Sequence, residues 1–136
     1  MESNAIQTGY KALLQAAKNT VDPEDIVRIR KALDLAIKSC GDNIILTGEP
    51  QILHALSVAR IIAGEMGLGL TSIITALLHD SFDRLDISVQ ELEKEFGKKT
   101  VEILKGFSRV TSLESMQSSY QAENFRKLLL SLADDV

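Results

Sequence analysis

At 136 residues, 45% apolar and 25% charged, the chain is the size of one globular domain with a real core, and with no Trp and only 2 Tyr and 4 Phe that core is aliphatic. A net charge of −4 excludes a broad nucleic-acid surface, which needs clustered Lys and Arg, though local charge can still meet a small anionic ligand. The single Cys40 excludes an internal disulfide and a multi-cysteine zinc site, no charged-then-apolar leader opens the chain, and no apolar stretch approaches the roughly 20 residues a bilayer requires, so a soluble protein of the reducing cytoplasm is expected.

Ile6, Tyr10, Leu13, Leu14 and Ala17 recur at helical spacing, which predicts a first helix from about Ala5 to Lys18. Asp22 before Pro23 reads as an N-cap followed by proline at the first helical position, and Ile26, Ile29, Leu33, Ala36 and Ile37 carry a second helix to about Ser39. Gly41-Asp42-Asn43 stops it, and an irregular link runs from Ile44 to Pro50. A third helix after Pro50 is apolar around much of its circumference and is expected to be central. Gly64, Gly67 and Gly69 loosen its end, and a fourth helix starts near Thr71 and is predicted to run through His79-Asp80.

Ser88-Val89-Gln90-Glu91 has the capping-box pattern, so a fifth helix begins there and stops at Phe96-Gly97. A sixth runs from Lys98 to about Arg109. Thr111 to Ser119, with four serines and a threonine, reads as a loop, and Ala122, Phe125, Leu128, Leu129 and Leu132 mark a last helix from about Gln121. No strand alternation or repeat is visible. The class is all-α, one domain over residues 1–136 with residues 1–20 as an N-terminal helix, and roughly seven helices in total.

His79-Asp80 closes the apolar run Ile73-Ile74-Thr75-Ala76-Leu77-Leu78, and His54 is the second of only 2 histidines. Neutral imidazoles and a carboxylate suit a first-row metal, and these three ligands come from adjacent helices. The alternative is a core histidine and a polar helix end facing water. Spacing alone leaves both readings open.

Longer motifs surround these residues. Gly48-Glu49-Pro50, three residues and then His54; Leu77-Leu78-His79-Asp80; Asp86-Ile87-Ser88; Phe96-Gly97; Gly106-Phe107-Ser108-Arg109; and Gln121-Ala122-Glu123-Asn124-Phe125-Arg126-Lys127 together resemble the N-terminal HD domain of RelA/SpoT proteins. The resemblance runs from about Lys31 to the end of the chain.

It implies an all-helical, metal-dependent HD phosphohydrolase bundle, here cut short at its C-terminal end, that removes the 3′-pyrophosphate of (p)ppGpp with Mn2+. Carried over position by position, His54, His79 and Asp80 match metal ligands. A further aspartate ligand lies on a helix past Val136, and neither Asp134 nor Asp135 matches it. Where active members place a Glu-Asp pair to assist the attacking water, this chain has Asp83 and Arg84. Asp83 keeps a carboxylate, one methylene shorter, whereas Arg84 is a permanent cation that cannot accept a proton. Arg84 follows Asp80 by four residues, so on one helix the two are expected to pair. Where active hydrolases carry an arginine against the guanine base, this chain has Ile45; Ser108 and Arg109 match a Thr-Lys pair of the nucleotide pocket.

The expectation is therefore an inherited metal site with impaired or lost hydrolysis, in a larger parent that synthesises (p)ppGpp from ATP and GTP or GDP. An active hydrolase and a helical interaction module without a ligand are the alternatives. The guanine nucleotide and the parent's other domains are the implied partners, with neither membrane nor nucleic acid. The face of Leu128, Leu129 and Leu132 is expected to pair with a second copy. Light scattering at high concentration should then show dimers; monomer alone would contradict this pairing.

Overall fold

In a computed structural model, residues 3–45 and 47–108 are described, the side chains of Asp83, Phe107 and Ser108 excepted. Six helices are found among them. The predicted Ser-rich loop and last helix, with the Leu128, Leu129 and Leu132 face, lie outside the described residues.

Helix α1 spans Asn4–Ala17 and starts where Ser3 Oγ accepts from the Ile6 amide at 3.2 Å. It buries Ile6, Leu13 and Ala17 along α3, Gln51–Gly64. A Cβ on Gly9 would sit 3.1 Å from Leu56 Cδ1, and one on Gly64 would sit 3.2 Å from Ala16 Cβ. The early residue of α1 thus meets the middle of α3 and the late residue its end, so the two helices run in the same direction. Gly9 is what permits the close approach.

Asp22 and Pro23 open a short 3₁₀ turn, Pro23–Asp25, in which the Asp22 amide donates to Asp25 Oδ2 at 3.3 Å. Helix α2 follows over Ile26–Cys40, turning Ile29, Leu33, Ala36 and Cys40 inward toward α4, Leu70–Leu78. It ends at Gly41, whose φ of 52° lies in the left-handed region and whose amide reaches the Ile37 carbonyl at 3.1 Å.

The described residues on either side of the link before α3 carry backbone bonds that the sequence does not announce. Ile44 and Pro50 form an antiparallel bridge, with Ile45 N–H donating to Glu49 O at 2.9 Å and Gln51 N–H to Asn43 O at 2.8 Å. These bonds fix Glu49 and Gln51 at the start of α3.

Helix α3 lies between α1 and α4, and its burial of Ile52, Ala55, Leu56, Val58, Ala59 and Ile62 matches its expected central place. Every residue from Ile73 to Leu78 of α4 is buried, and Thr75 is accommodated there because its hydroxyl donates to Thr71 O at 2.7 Å. Helix α5, Val89–Phe96, begins as its capping pattern predicts, with Ser88 Oγ accepting from Glu91 N–H at 3.1 Å, and stops at Gly97, φ 96°. Helix α6, Lys98–Ser108, packs on α4 through buried Val101, Ile103 and Leu104.

The Lys31–Glu95 pair at 3.0 Å ties α2 to α5, but both side chains are largely exposed. Such a pair contributes about 0–1 kcal/mol, against about 1.5–3 kcal/mol for burying one leucine such as Leu92, so apolar packing holds α5 in place.

Cys40 is 2% exposed beside the end of α2. Burial pushes its thiol from 9.0 up to about 11, against smaller lowering effects of the Ser81 hydroxyl and Arg84. Ser81 Oγ is itself buried and has no hydrogen bond of good geometry among the described residues, a thiol being a weak partner. Because the folded value is raised, the stability of the neutral thiol is fully present below pH 9 and is lost as pH climbs toward 11. Iodoacetamide at pH 8 should alkylate Cys40 only after unfolding in urea; rapid alkylation of the native chain would contradict its enclosure.

Candidate functional site

The end of α4 departs from the expected helix. Instead of running on through His79-Asp80, α4 stops at Leu78 and the chain tightens into a 3₁₀ turn over His79–Arg84. The cause is local. His79 Nδ1 lies 2.6 Å from the Ala76 carbonyl, the acceptor that a continuing α-helix would offer to the Asp80 amide. A carbonyl can only accept, so Nδ1 carries the proton and Nε2 is the nitrogen aimed away from the helix.

That nitrogen meets Asp80 Oδ1 at 3.1 Å, while His54 Nε2, from α3, approaches Asp80 Oδ2 at 3.8 Å. One carboxylate thus faces both imidazoles of the chain. His54 is 1% exposed and His79 2%, whereas the Asp80 side chain keeps 16% of its surface open to solvent. The corner is buried on the histidine side and open on the carboxylate side. Behind His54, Glu49 Oε2 stands 3.6 Å from Nδ1, so this ring has a carboxylate beyond each nitrogen.

Burial pushes the Asp80 carboxyl upward, but the His79 contact and the fields of His79, His54 and Arg84 outweigh it and hold the group below the usual carboxylate range. Asp80 is ionised at neutral pH and accepts only. An unprotonated Nε2 and a carboxylate oxygen cannot face each other at 3.1 Å without positive charge between them, either a proton on the ring or a metal ion.

The donor chemistry suits a divalent first-row ion, and the carbonyl-anchored His79 ring is what a metal-bound histidine normally shows. Among the described residues, no group of three or more His, Cys, Asp or Glu side chains is placed so that it could hold a metal ion. His54 and His79 come together pairwise, each through Asp80.

Arg84 does not take the expected partner. In a 3₁₀ turn residues four apart are rotated by about 120° rather than the roughly 40° of an α-helix, which carries Arg84 away from Asp80. Among the described residues, its Nη2 donates to Gln51 Oε1 at 2.6 Å and its Nε to the Ser39 carbonyl at 3.5 Å. Gln51 in turn donates from Nε2 to the Asp80 carbonyl at 3.3 Å. Ile45 sits half-buried on the link before α3. Arg109 lies outside the described residues, as do the side chains of Asp83 and Ser108.

Neither Glu49 nor Gln51 stands out as a site residue from sequence alone. Glu49 stood in the Gly48-Glu49-Pro50 motif, and Gln51 could have been noticed as the polar first residue of an otherwise apolar helix. Replacing Asp80 by Asn removes the charge that both rings face. The imidazole 15N signals of His54 and His79 should both move in Asp80→Asn; a change confined to one ring would contradict a shared carboxylate.

A family model for the HD domain matches residues 32–136. The chain is 35% identical over 113 residues, 83% of its length, to the guanosine-3′,5′-bis(diphosphate) 3′-pyrophosphohydrolase of Aquifex aeolicus (strain VF5), covering 16% of that protein. It is 32% identical over 128 residues, 93% of its length, to the bifunctional (p)ppGpp synthase/hydrolase SpoT of Escherichia coli (strain K12), covering 18% of it. To a GTP pyrophosphokinase of Myxococcus xanthus it is 34% identical over 119 residues, 85% of the chain and 16% of that relative. The chain therefore spans less than a fifth of the length of these relatives. With the His79-Asp80 corner lying inside the matched region, the chain belongs to the HD domain family and is homologous over most of its length to RelA/SpoT-type (p)ppGpp hydrolases and GTP pyrophosphokinases.

Proposed function

We propose that this HD domain is part of a larger (p)ppGpp-metabolising protein, that it keeps the donor set for Mn2+, and that its 3′-pyrophosphohydrolase activity is impaired. The observation that carries the reading is the placement of Arg84, a fixed cation at the rim of the corner, bonded to Gln51 at 2.6 Å and acting through its field on Asp80.

In this reading His54, His79 and Asp80 hold the ion. When bound, it would polarise the phosphoryl oxygens and acidify a water molecule. Asp83 orients the attacking water, and Ser108 and Arg109 hold the phosphates of the nucleotide. An acid at position 84 would share the handling of the water's proton; the Arg84 guanidinium, protonated at any physiological pH, accepts none. Ile45 offers the guanine base neither a planar face nor a hydrogen-bond donor. Impaired hydrolysis leaves regulation of a synthetase elsewhere in the parent as the domain's role.

A second reading, an active hydrolase, draws on the finding that Arg84 bonds Gln51 and the Ser39 carbonyl rather than Asp80, which leaves the carboxylate facing the histidines.

One assay separates the two. Mn2+-dependent release of pyrophosphate from ppGpp by the full-length protein should be slow, and Ile45→Arg, which leaves the Arg84–Gln51 contact in place, should raise it without restoring the contribution, on the order of 10²-fold, of one positioned acid–base group. Robust release by the wild type would overturn the impaired reading. Calorimetry that finds no Mn2+ bound, even in excess, would favour a helical module without a ligand.

A further inference from the structure

Gln51 opens α3 and is only 9% exposed, and the two ends of its amide face two different groups. Oε1 accepts from Arg84 Nη2 at 2.6 Å, and Nε2 donates to the Asp80 main-chain carbonyl at 3.3 Å. The orientation of the amide follows from chemistry. A guanidinium has no acceptor and a carbonyl has no donor, so the oxygen has to face Arg84 and the nitrogen Asp80. Arg84 is anchored in turn near the Ser39 carbonyl at the end of α2, 3.5 Å from its Nε. Three elements therefore meet through one buried amide: the end of α2, the start of α3 and the His79–Arg84 turn.

We infer that Gln51 is a positioning residue for the His79-Asp80 turn and works as one unit with Arg84. Arg84 fixes the amide, the amide fixes the Asp80 carbonyl, and the main chain so held sets the angle at which the Asp80 carboxylate meets both imidazoles. Arg84 has become part of the architecture of the corner. The inference stands on these contacts and does not depend on the hydrolase reading, so a failure of the ppGpp assay leaves it intact.

Its test uses the imidazole 15N signals of the 136-residue chain, which holds only 2 histidines. Gln51→Met keeps the length of the side chain and adds no charge, but removes the donor to the Asp80 carbonyl. It should keep the helical circular-dichroism signal while moving both ring signals. Arg84→Ala should move them in the same direction, and Gln51→Ala with Arg84→Ala together should move them no further than either change alone, the mark of two residues acting as a unit. Arg84→Lys, which can still donate to Gln51 Oε1, should restore most of the wild-type shifts.

Arg84 is exposed, so its variants open no core cavity and carry the test if the Gln51 variants fail to fold. Additive displacements in the double variant, or ring signals unmoved by Gln51→Met or Arg84→Ala in folded protein, would overturn the inference. A role limited to stability would lower the melting temperature of the Arg84 variants and leave the ring signals where they are, which would overturn it equally.

Discussion

Two buried imidazoles face one carboxylate in this chain, and the elements that carry them, α3 and the His79–Arg84 turn, meet at that contact. His54 reaches Asp80 at 3.8 Å from α3 and His79 reaches it at 3.1 Å from its own turn. Buried polar groups are tolerated only when they are paired, so each ring needs its second nitrogen satisfied as well. The Ala76 carbonyl does this for His79, and Glu49 stands behind His54. The end of α4 tightens to bring this about, and the link before α3 is bridged at Ile44 and Pro50, which puts Glu49 within reach.

The rest of the packing supports that corner. Helix α3 lies between α1 and α4 and presents apolar residues to both, so His54 is placed by a helix that is itself enclosed. The close approach at Gly9 and Leu56 sets α1 against it. Helix α6 covers the far side of α4 and the turn. Charge contributes little to this framework, since the pairs that tie α2 to α5 and to Asp86 are exposed; it matters at the corner, where Arg84, Gln51 and Asp80 form a connected series.

Much of the fold was legible from local signals. Ser88 and Gly97 bound α5 because a hydroxyl cap and a left-handed stop are chosen by the residues themselves, and the all-round apolar character of α3 marked its central place. The end of α4 was not legible. Its helical spacing continues past Leu78, and the departure comes from a side chain taking a backbone acceptor. The expected Asp80–Arg84 pair failed for the same reason, since its premise was α-helical rotation. Arg84 found instead a partner thirty-three residues earlier in the chain, a contact no local spacing announces. His54, His79 and Asp80, named on their residue types and then on the family motifs, do come together. For Asp83, Ser108 and Arg109 the described residues supply no side-chain geometry.

We propose that Asp80 joins the two histidines into one donor set for a divalent ion. Anomalous diffraction at the manganese edge, from crystals of the full-length protein grown with Mn2+, tests it most directly. A single peak bounded by His54 Nε2, His79 Nε2 and the Asp80 carboxylate is expected. A density map without that peak, or with manganese held elsewhere while these three side chains remain in mutual contact, would contradict it.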